Sequence, residues 1–505
     1  MAVAAPPRRR PILGARYETH PRDASAWLLI GLVVLGAAIR FSTLGEQSFW
    51  YDEAVTHGIV GGSLGHVLHQ VPQTESTPWL YYVLLWCWAQ VFGAGEVGLR
   101  SFSALCGTLT IPVVWAVGRR LASERIGLIA GLLTAVNPFL FWYSQEARVY
   151  SLLLLLSALS LLALVRALEQ PSRQRLLVWG IAAAAALASH YFAVFVLVPE
   201  GIWLLVALHR RGALDIPNVI LACAPVVIVA AALAPLAIHQ DDGRASWISD
   251  QAGSLPYRLA QLVKQDIIGD GQPHKTLLGG IGALLVLLGV VLLLWRGGRN
   301  ERAAAALPLA IGAGGVLVAV VVAIAGTDYF DTRNMLPTWP ALALVVAAGL
   351  GATRAGRLGI FGAIALTALS LYCVSNIIRD PAFQRDNWRG AAHALGPADG
   401  SRAIVTDLYT SGPPLQTYLR GVGRYPAASA AVREVDVIWL GRGSFGHPII
   451  PVQPVALPGF QVQEHRTSSY IVLRYRAAAA TVETAAALDR LYPDPARALT
   501  LLQSR

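Results

Sequence analysis

Pro78-Trp79-Leu80-Tyr81-Tyr82-Val83-Leu84-Leu85-Trp86-Cys87-Trp88 is apolar enough to enter a lipid bilayer. Whether it crosses sets the side of the membrane on which every later segment lies. Eleven other apolar runs are candidates to cross the roughly 30 Å of a hydrocarbon core. They are 26–44, 99–118, 126–143, 150–168, 176–190, 192–208, 217–238, 276–295, 304–325, 335–353 and 358–378. If residues 78–92 stay at one surface, Arg119, Arg120, Arg125, Arg166, Arg173, Arg175, Arg210, Arg211, Arg296, Arg299, Arg302, Arg354 and Arg357 all share a side with the N-terminal Arg8-Arg9-Arg10. That is the positive-inside pattern. If they cross, every one of those later arginines moves to the outer face. The first option is expected, and the tryptophans and tyrosines of the run are residues that favour a membrane interface.

Composition agrees with lipid as the main solvent. Of 505 residues, 55% are hydrophobic and 14% charged, against about 25% charged in soluble domains. The net charge of +10 comes almost wholly from arginines placed between apolar runs. They read as topology signals and contacts to anionic membrane lipids, and they form no face for nucleic acid. Cys87, Cys106, Cys223 and Cys373 sit inside apolar runs, without the spacing of a zinc site or a disulfide framework. Residues 27–41 follow a basic stretch as in a signal peptide, but no small-residue cleavage site comes after them, so they are expected to remain as the first span. The expected fold is an all-α polytopic membrane protein over residues 1–378, with about eleven transmembrane helices and juxtamembrane helices in a first outer loop, 45–98. A small soluble α/β domain is expected over 379–505, with strand-like runs at 403–406, 435–440 and 470–473 and helices at 388–395 and 415–419.

With that topology the outer face collects 45–98, the turn 143–150, the turn at His190-Tyr191, the loop 239–275, the turn 327–334 and the C-terminal region. The loop 45–98 has no Lys or Arg but carries Glu46, Asp52, Glu53, Glu75 and Glu96. Tyr51-Asp52-Glu53 lies close to the first span. Partial desolvation and a neighbouring negative charge raise a carboxylate's proton affinity, which suits a general base for a hydroxyl; the same residues also suit a solvated helix start. Glu146 and Arg148, flanked by Tyr143 and Tyr150, suit a phosphate or carboxylate site, or a structural pair closing a turn. Arg333 offers a second phosphate clamp, or an anchor that snorkels. His190-Tyr191 reads as a substrate contact or an interfacial aromatic pair. Arg100 and Glu96 either orient the acidic loop or anchor a helix end. His57, His66 and His69 fit no metal motif.

Taken in order, Phe49-Trp50-Tyr51-Asp52-Glu53-Ala54, Thr77-Pro78-Trp79-Leu80-Tyr81-Tyr82, Gly98-Leu99-Arg100-Ser101, Gly118-Arg119-Arg120-Leu121, Asn137-Pro138-Phe139 and Tyr143-Ser144-Gln145-Glu146-Ala147-Arg148-Val149-Tyr150 carry a resemblance. Over residues 25–210 the chain resembles bacterial GT-C glycosyltransferases, in particular the group related to protein O-mannosyltransferases and the lipid A aminoarabinose transferase. The resemblance implies a multi-pass protein of the bacterial inner membrane with a cytoplasmic N-terminus and an extracytoplasmic active site and C-terminal domain. It implies an inverting transfer from a polyprenyl-phosphate sugar to a hydroxyl of a lipid, glycan or protein. Asp52 would be the catalytic base, Glu53 would hold acceptor or donor, and Arg148 and Arg333 would contact the carrier phosphate. Tyr51, Arg100, Glu146, Tyr150, His190 and Tyr191 complete the expected substrate site. No metal ligands are assigned, and a divalent cation is left open because relatives differ. The chain departs from the family at Ser76-Thr77-Pro78-Trp79, where relatives often show His-Pro-Pro or Glu-Lys-Pro, and its C-terminal domain matches no known acceptor module.

The residues alone support the same chemistry. A polyprenyl phosphate leaving group needs cations and an acceptor hydroxyl needs a positioned carboxylate, and one face supplies both. No Gly-rich phosphate loop follows a predicted strand, which favours a lipid-linked over a nucleotide donor. The alternatives are a transporter or lipid flippase without transferase activity, which usually shows paired halves and midplane charges, and a non-catalytic scaffold.

Overall fold

The computed structural model describes residues 23–241, 253–398, 400–440 and 454–504. The N-terminal arginine cluster and part of the expected loop 239–275 lie outside them. After α1 (Asp23–Phe41) come three helices of the acidic segment, α2 (Tyr51–Val60), α3 (Leu64–Thr74) and α4 (Leu80–Phe92). The chain continues through α5 (Glu96–Leu121), α6 (Glu124–Val136), α7 (Pro138–Ser144), α8 (Tyr150–Glu169), α9 (Arg173–Ser189), α10 (Val194–Arg210) and α11 (Ile216–Gln240). Further helices follow at Leu255–Ile268, Lys275–Arg296, Arg299–Ile324, Trp339–Leu350 and Gly356–Arg379.

Among the described residues eight helices are long and apolar enough to cross a membrane, and the α6–α7 pair, bent by 56°, makes a ninth. Their outward faces carry large apolar side chains, such as Leu284 at 67% and Ile324 at 74% exposure. Such surface is costly in water and suited to lipid. The chain is a multi-pass membrane protein. The two remaining expected spans fall on shorter helices: α9 has 17 residues, and Trp339–Leu350 has 12 after a 3-10 turn at Thr332–Thr338.

The bend between α6 and α7 has a local cause. Pro138 lacks an N–H, and the Asn137 side chain accepts from the Leu140 N–H at 3.0 Å, so a new helix starts there. In hydrocarbon the carbonyls freed by a break need donors. The buried Arg40 of α1 supplies them, giving Nη1 to Ala135 O at 2.7 Å and Nη2 to Thr134 O at 2.9 Å, while its Nε reaches Ser144 Oγ at 3.1 Å. The break is thus pinned, and it delivers the turn 145–149 to the mouth of α8.

With 13 residues, α4 is about 20 Å long, too short for the bilayer core. Its Tyr81, Tyr82 and Leu85 are fully buried with Phe49 and Leu99. Trp86 Nε1 donates to Gly62 O at 3.0 Å and Trp88 Nε1 to Ser101 Oγ at 2.9 Å, so its indoles tie α4 to its neighbours.

Beyond Arg379 the chain builds a six-stranded sheet: β1 (Arg402–Asp407), β2 (Val422–Arg424), β3 (Ala430–Leu440), β4 (Phe460–Arg466), β5 (Tyr470–Glu483) and β6 (Ala498–Gln503), in the order β2-β6-β1-β3-β5-β4. β1 and β3 are parallel, with Ala403 opposite Val435, and the other pairs are antiparallel. Helices Trp388–Leu395 and Gly412–Tyr418 contribute to the core on one face, and Leu488, Leu491 and Tyr492 to that on the other. This unit is bonded to the acidic segment. Ser48 Oγ donates to Asp386 O at 2.7 Å and accepts from Trp388 N at 3.0 Å; Phe49 N donates to Tyr418 OH at 2.6 Å. Arg389 and Tyr418 both bond Glu96.

Candidate functional site

Asp52 and Glu53 occupy the first turn of α2, where the helix dipole favours anions. Adjacent helical residues point about 100° apart, and the two carboxylates meet different surroundings. Glu53 is fully buried. Its Oε1 accepts from Arg100 Nε at 2.7 Å and from the Ala147 backbone N–H at 2.8 Å, and its Oε2 from Arg100 Nη2 at 2.6 Å. Burial pushes its proton affinity up, but the paired Arg100, the more distant Arg385 and the Ala147 N–H outweigh that and hold the carboxyl below its ordinary range. Arg100 spends its other hydrogens on Leu44 O at 2.9 Å, Gln47 O at 2.6 Å and Ser48 O at 2.9 Å. Glu53 and Arg100 are both saturated by protein partners and form a strut that holds the start of α2; of the two readings of Arg100, these bonds match the one in which it orients the acidic loop, with Glu53 as its carboxylate partner and not Glu96. Asp52 is a quarter exposed, and among the described residues its carboxylate makes a single ion pair, 3.9 Å from Arg148 Nε.

Arg148 is the centre of the second cluster. Its Nη1 donates to Glu75 Oε1 at 2.8 Å, Tyr82 OH at 3.0 Å and Thr56 Oγ1 at 3.2 Å, and its buried Nε has no hydrogen-bond partner. Burial works against its charge, but Glu75, Tyr82 and Asp52 dominate and hold the guanidinium protonated, above its ordinary value. Glu146 does not pair with Arg148 in a closed turn. It faces Arg385, whose Nη2 lies 3.7 Å from Glu146 Oε2, an oxygen without a hydrogen-bond partner. Burial pushes the Glu146 carboxyl up to about 7.

Arg333, Tyr150 and His190 complete the surroundings. Arg333 lies 3.5 Å from Asp331 and is held further protonated by Tyr150, Asp331 and Asp52 against the cost of its burial. Its loop is fixed by the Arg258–Asp328 fork, at 2.8 and 2.5 Å. Tyr150 packs edge-on to Tyr143 at 4.9 Å and faces His190 at 6.0 Å. His190 Nδ1 accepts from Phe192 N at 3.2 Å, which leaves the hydrogen on Nε2. Burial, then Arg148 and Arg333, push the imidazole down to about 3, so it is neutral. The Tyr51 phenol is half-buried and pushed up by burial, Asp52 and Glu75. Tyr191 leaves the cluster: its OH donates to Gln240 Oε1 at 2.8 Å, and Gln240 Nε2 in turn bonds Thr77 O at 3.2 Å, tying α11 to the acidic segment.

Arg385 was not singled out by sequence, and Glu75 and Tyr82 were noted only as a carboxylate of the acidic loop and as part of a motif, with no role at the site. Arg385 carried no signal in the sequence, being one of many arginines after residue 378. Among the described residues no group of three or more His, Cys, Asp or Glu could hold a metal ion, and His57 Nδ1 is 2.9 Å from Ala94 O.

Residues 76–239, less than half of the chain, match the family model of dolichyl-phosphate-mannose-protein mannosyltransferases. No curated protein sequence matches significantly. Similar solved structures include ArnT from Cupriavidus metallidurans bound to undecaprenyl phosphate, at 16% identity and a TM-score of 0.47, over 74% of this chain and 69% of that one. The Archaeoglobus fulgidus oligosaccharyltransferase in complex with Zn and sulfate matches at 13% identity and a TM-score of 0.44, over 73% of this chain and 55% of that one. The S. cerevisiae protein O-mannosyltransferase complex bound to the sugar donor matches at 20% identity and 0.34, over 46% and 34%. Over residues 76–239 the chain is similar to protein O-mannosyltransferases, as its motifs indicated.

Proposed function

We propose that this protein is an integral membrane glycosyltransferase that moves a sugar from a polyprenyl-phosphate donor to an acceptor hydroxyl. The observation that carries the reading is the open carboxylate of Asp52, which stands 3.9 Å from the Arg148 guanidinium in a cluster where the neighbouring Glu53 is saturated. The family match over residues 76–239 supports it.

In this reading Asp52 takes the proton of the acceptor hydroxyl as its oxygen attacks the anomeric carbon. The bond from that carbon to the phosphate oxygen breaks, and the electron pair leaves with the polyprenyl phosphate. A single displacement inverts the anomeric centre. The departing phosphate gains negative charge, and Arg148 Nε and Arg333 are the cations placed to receive it in a partly water-free site. Neutral His190 offers an Nε2–H donor without adding charge. Glu53 and Arg100 keep α2 in place and touch no substrate. The site and the C-terminal sheet face the extracytoplasmic side of a bacterial inner membrane, with the N-terminus in the cytoplasm; acceptors are a lipid, glycan or protein hydroxyl.

The test is to incubate the full chain in nanodiscs with undecaprenyl phosphomannose and membrane extract, following release of undecaprenyl phosphate. Release that needs both protein and extract supports the reading. Release from no polyprenyl-phosphate sugar, with the protein folded, would end it.

A further inference from the structure

Arg385 is buried, although it belongs to the segment that leads into the C-terminal sheet and not to the helices that build the cluster. Its backbone N–H donates to Gln47 Oε1 at 3.0 Å, its Nη2 to Trp142 O at 3.2 Å, and its guanidinium lies over the Trp142 ring at 4.1 Å. The same Nη2 stands 3.7 Å from Glu146 Oε2, which has no hydrogen-bond partner. Two distant stretches of chain, at Gln47 and at 142–146, thus converge on Arg385, whose Nη1 also reaches Gln47 Oε1 at 3.5 Å. Gln47 is also the residue whose carbonyl anchors Arg100. Glu146 opens the short turn whose Ala147 N–H holds Glu53 and whose Arg148 faces Asp52.

Stability does not explain such a pair. Its separation is long for a hydrogen bond, and burying two charges this way costs as much as it returns. A costly buried pair beside an open carboxylate points to function. Resting on the transferase reading above, we propose that Arg385 is a positioning residue of the transfer site: supplied by the C-terminal region, it holds the ionised Glu146 and thereby the turn that aims Arg148 at the donor phosphate. The site is then incomplete without the C-terminal region. The charged and titratable groups around Glu146 are Arg385 from that region, Asp52 and Glu53 from α2, Arg148 from its own turn, Tyr143 of α7 and Tyr150 of α8. With the Glu146 carboxyl at about 7, the pair forms as pH rises through neutrality, and removing Arg385 moves that transition upward.

The test uses the full chain in nanodiscs, with Arg385→Gln, Arg385→Lys, Glu146→Gln and the Arg385→Gln/Glu146→Gln double variant. The first readout is binding of undecaprenyl phosphomannose, a phosphodiester that does not itself titrate near neutrality, between about pH 5.5 and 8.5. Wild type should tighten on passing pH 7. The step should vanish in Glu146→Gln, move up by about one pH unit or more in Arg385→Gln, and return in Arg385→Lys. The second readout needs no ligand: thermal unfolding midpoints of the four members of the cycle should be non-additive at pH 8 and additive at about pH 5.5. Additive midpoints at pH 8, or an Arg385→Gln binding profile superimposable on wild type, would overturn the inference. Failure of wild type to bind the donor overturns the transferase reading instead, and the unfolding cycle still decides the link between Arg385 and Glu146.

Discussion

Replacing Arg100 by alanine should unfold or severely loosen this protein, whereas Glu53→Gln should only weaken it. Arg100 makes five hydrogen bonds, two to Glu53 and three to the carbonyls of Leu44, Gln47 and Ser48. Removing it leaves a fully buried carboxylate with the Ala147 N–H as its principal donor. Breaking a buried ion pair from one side costs about 3–5 kcal/mol, and the carbonyls left without a donor add to that unless water reaches them. Glu53→Gln keeps the shape, the acceptor for Ala147 and the carbonyl contacts of Arg100. It replaces the oxygen that accepts from Arg100 Nη2 by an amide donor and leaves the buried guanidinium with neutral acceptors only, about 3 kcal/mol, the low end of that range because the three carbonyl bonds remain. The assay is thermal unfolding of purified single and double variants in detergent, monitored by intrinsic fluorescence. The double variant Glu53→Gln/Arg100→Ala should be less destabilised than the two single effects summed, because the orphaned charge is gone. A Glu53→Gln protein that unfolds with wild type but transfers no sugar would refute the reasoning, since Glu53 would then be reacting and not supporting.

The Glu146 carboxyl is raised from its ordinary 4.5 to about 7 by burial, so it contributes stability that is complete below its unfolded value and lost as pH rises through 7. Glu146→Gln should therefore match wild type near pH 4.5 and exceed it at pH 8 by up to about 3 kcal/mol, read as a difference in unfolding midpoint between the two pH values. A variant with higher stability and poorer donor binding is the trade expected of a functional site. Tyr191→Phe removes the bond to Gln240 and should cost about 1 kcal/mol while leaving the transfer rate at wild-type level. Asn137→Ala removes the cap of α7 and the bond from Asn137 Nδ2 to Asp266 O at 2.8 Å; a loss of about 1–2 kcal/mol in unfolding stability is expected.

Much of this fold was legible because lipid imposes a simple pattern. The apolar runs fall on helices, and the aromatic run at Pro78–Trp88 lies on the short α4 and not on a long span. The sharp break at Asn137-Pro138 was written in a cap and a proline, yet only the structure shows Arg40 feeding its carbonyls. The three strand-like runs lie on β1, β3 and β5. β2 is too short to carry a pattern, β4 is an exposed edge in which only Phe460 and Val462 are apolar, and the Ala-Leu-Thr-Leu-Leu-Gln of β6 reads equally as helix. At the site, sequence placed Asp52 and Arg148 on one surface, and they are neighbours. It could not say which of two adjacent carboxylates turns inward, because that depends on where Arg100 of α5 comes to lie. Nor could it find Arg385, whose partners Gln47, Trp142 and Glu146 are distant in the chain.

The most direct test of the account is single-turnover sugar transfer by Asp52→Asn, with donor affinity measured on the same preparation. Loss of transfer by about 100- to 10,000-fold, with donor affinity and unfolding midpoint close to wild type, is the predicted result. Transfer at the wild-type rate would contradict it, since the open carboxylate beside Arg148 would then take no proton.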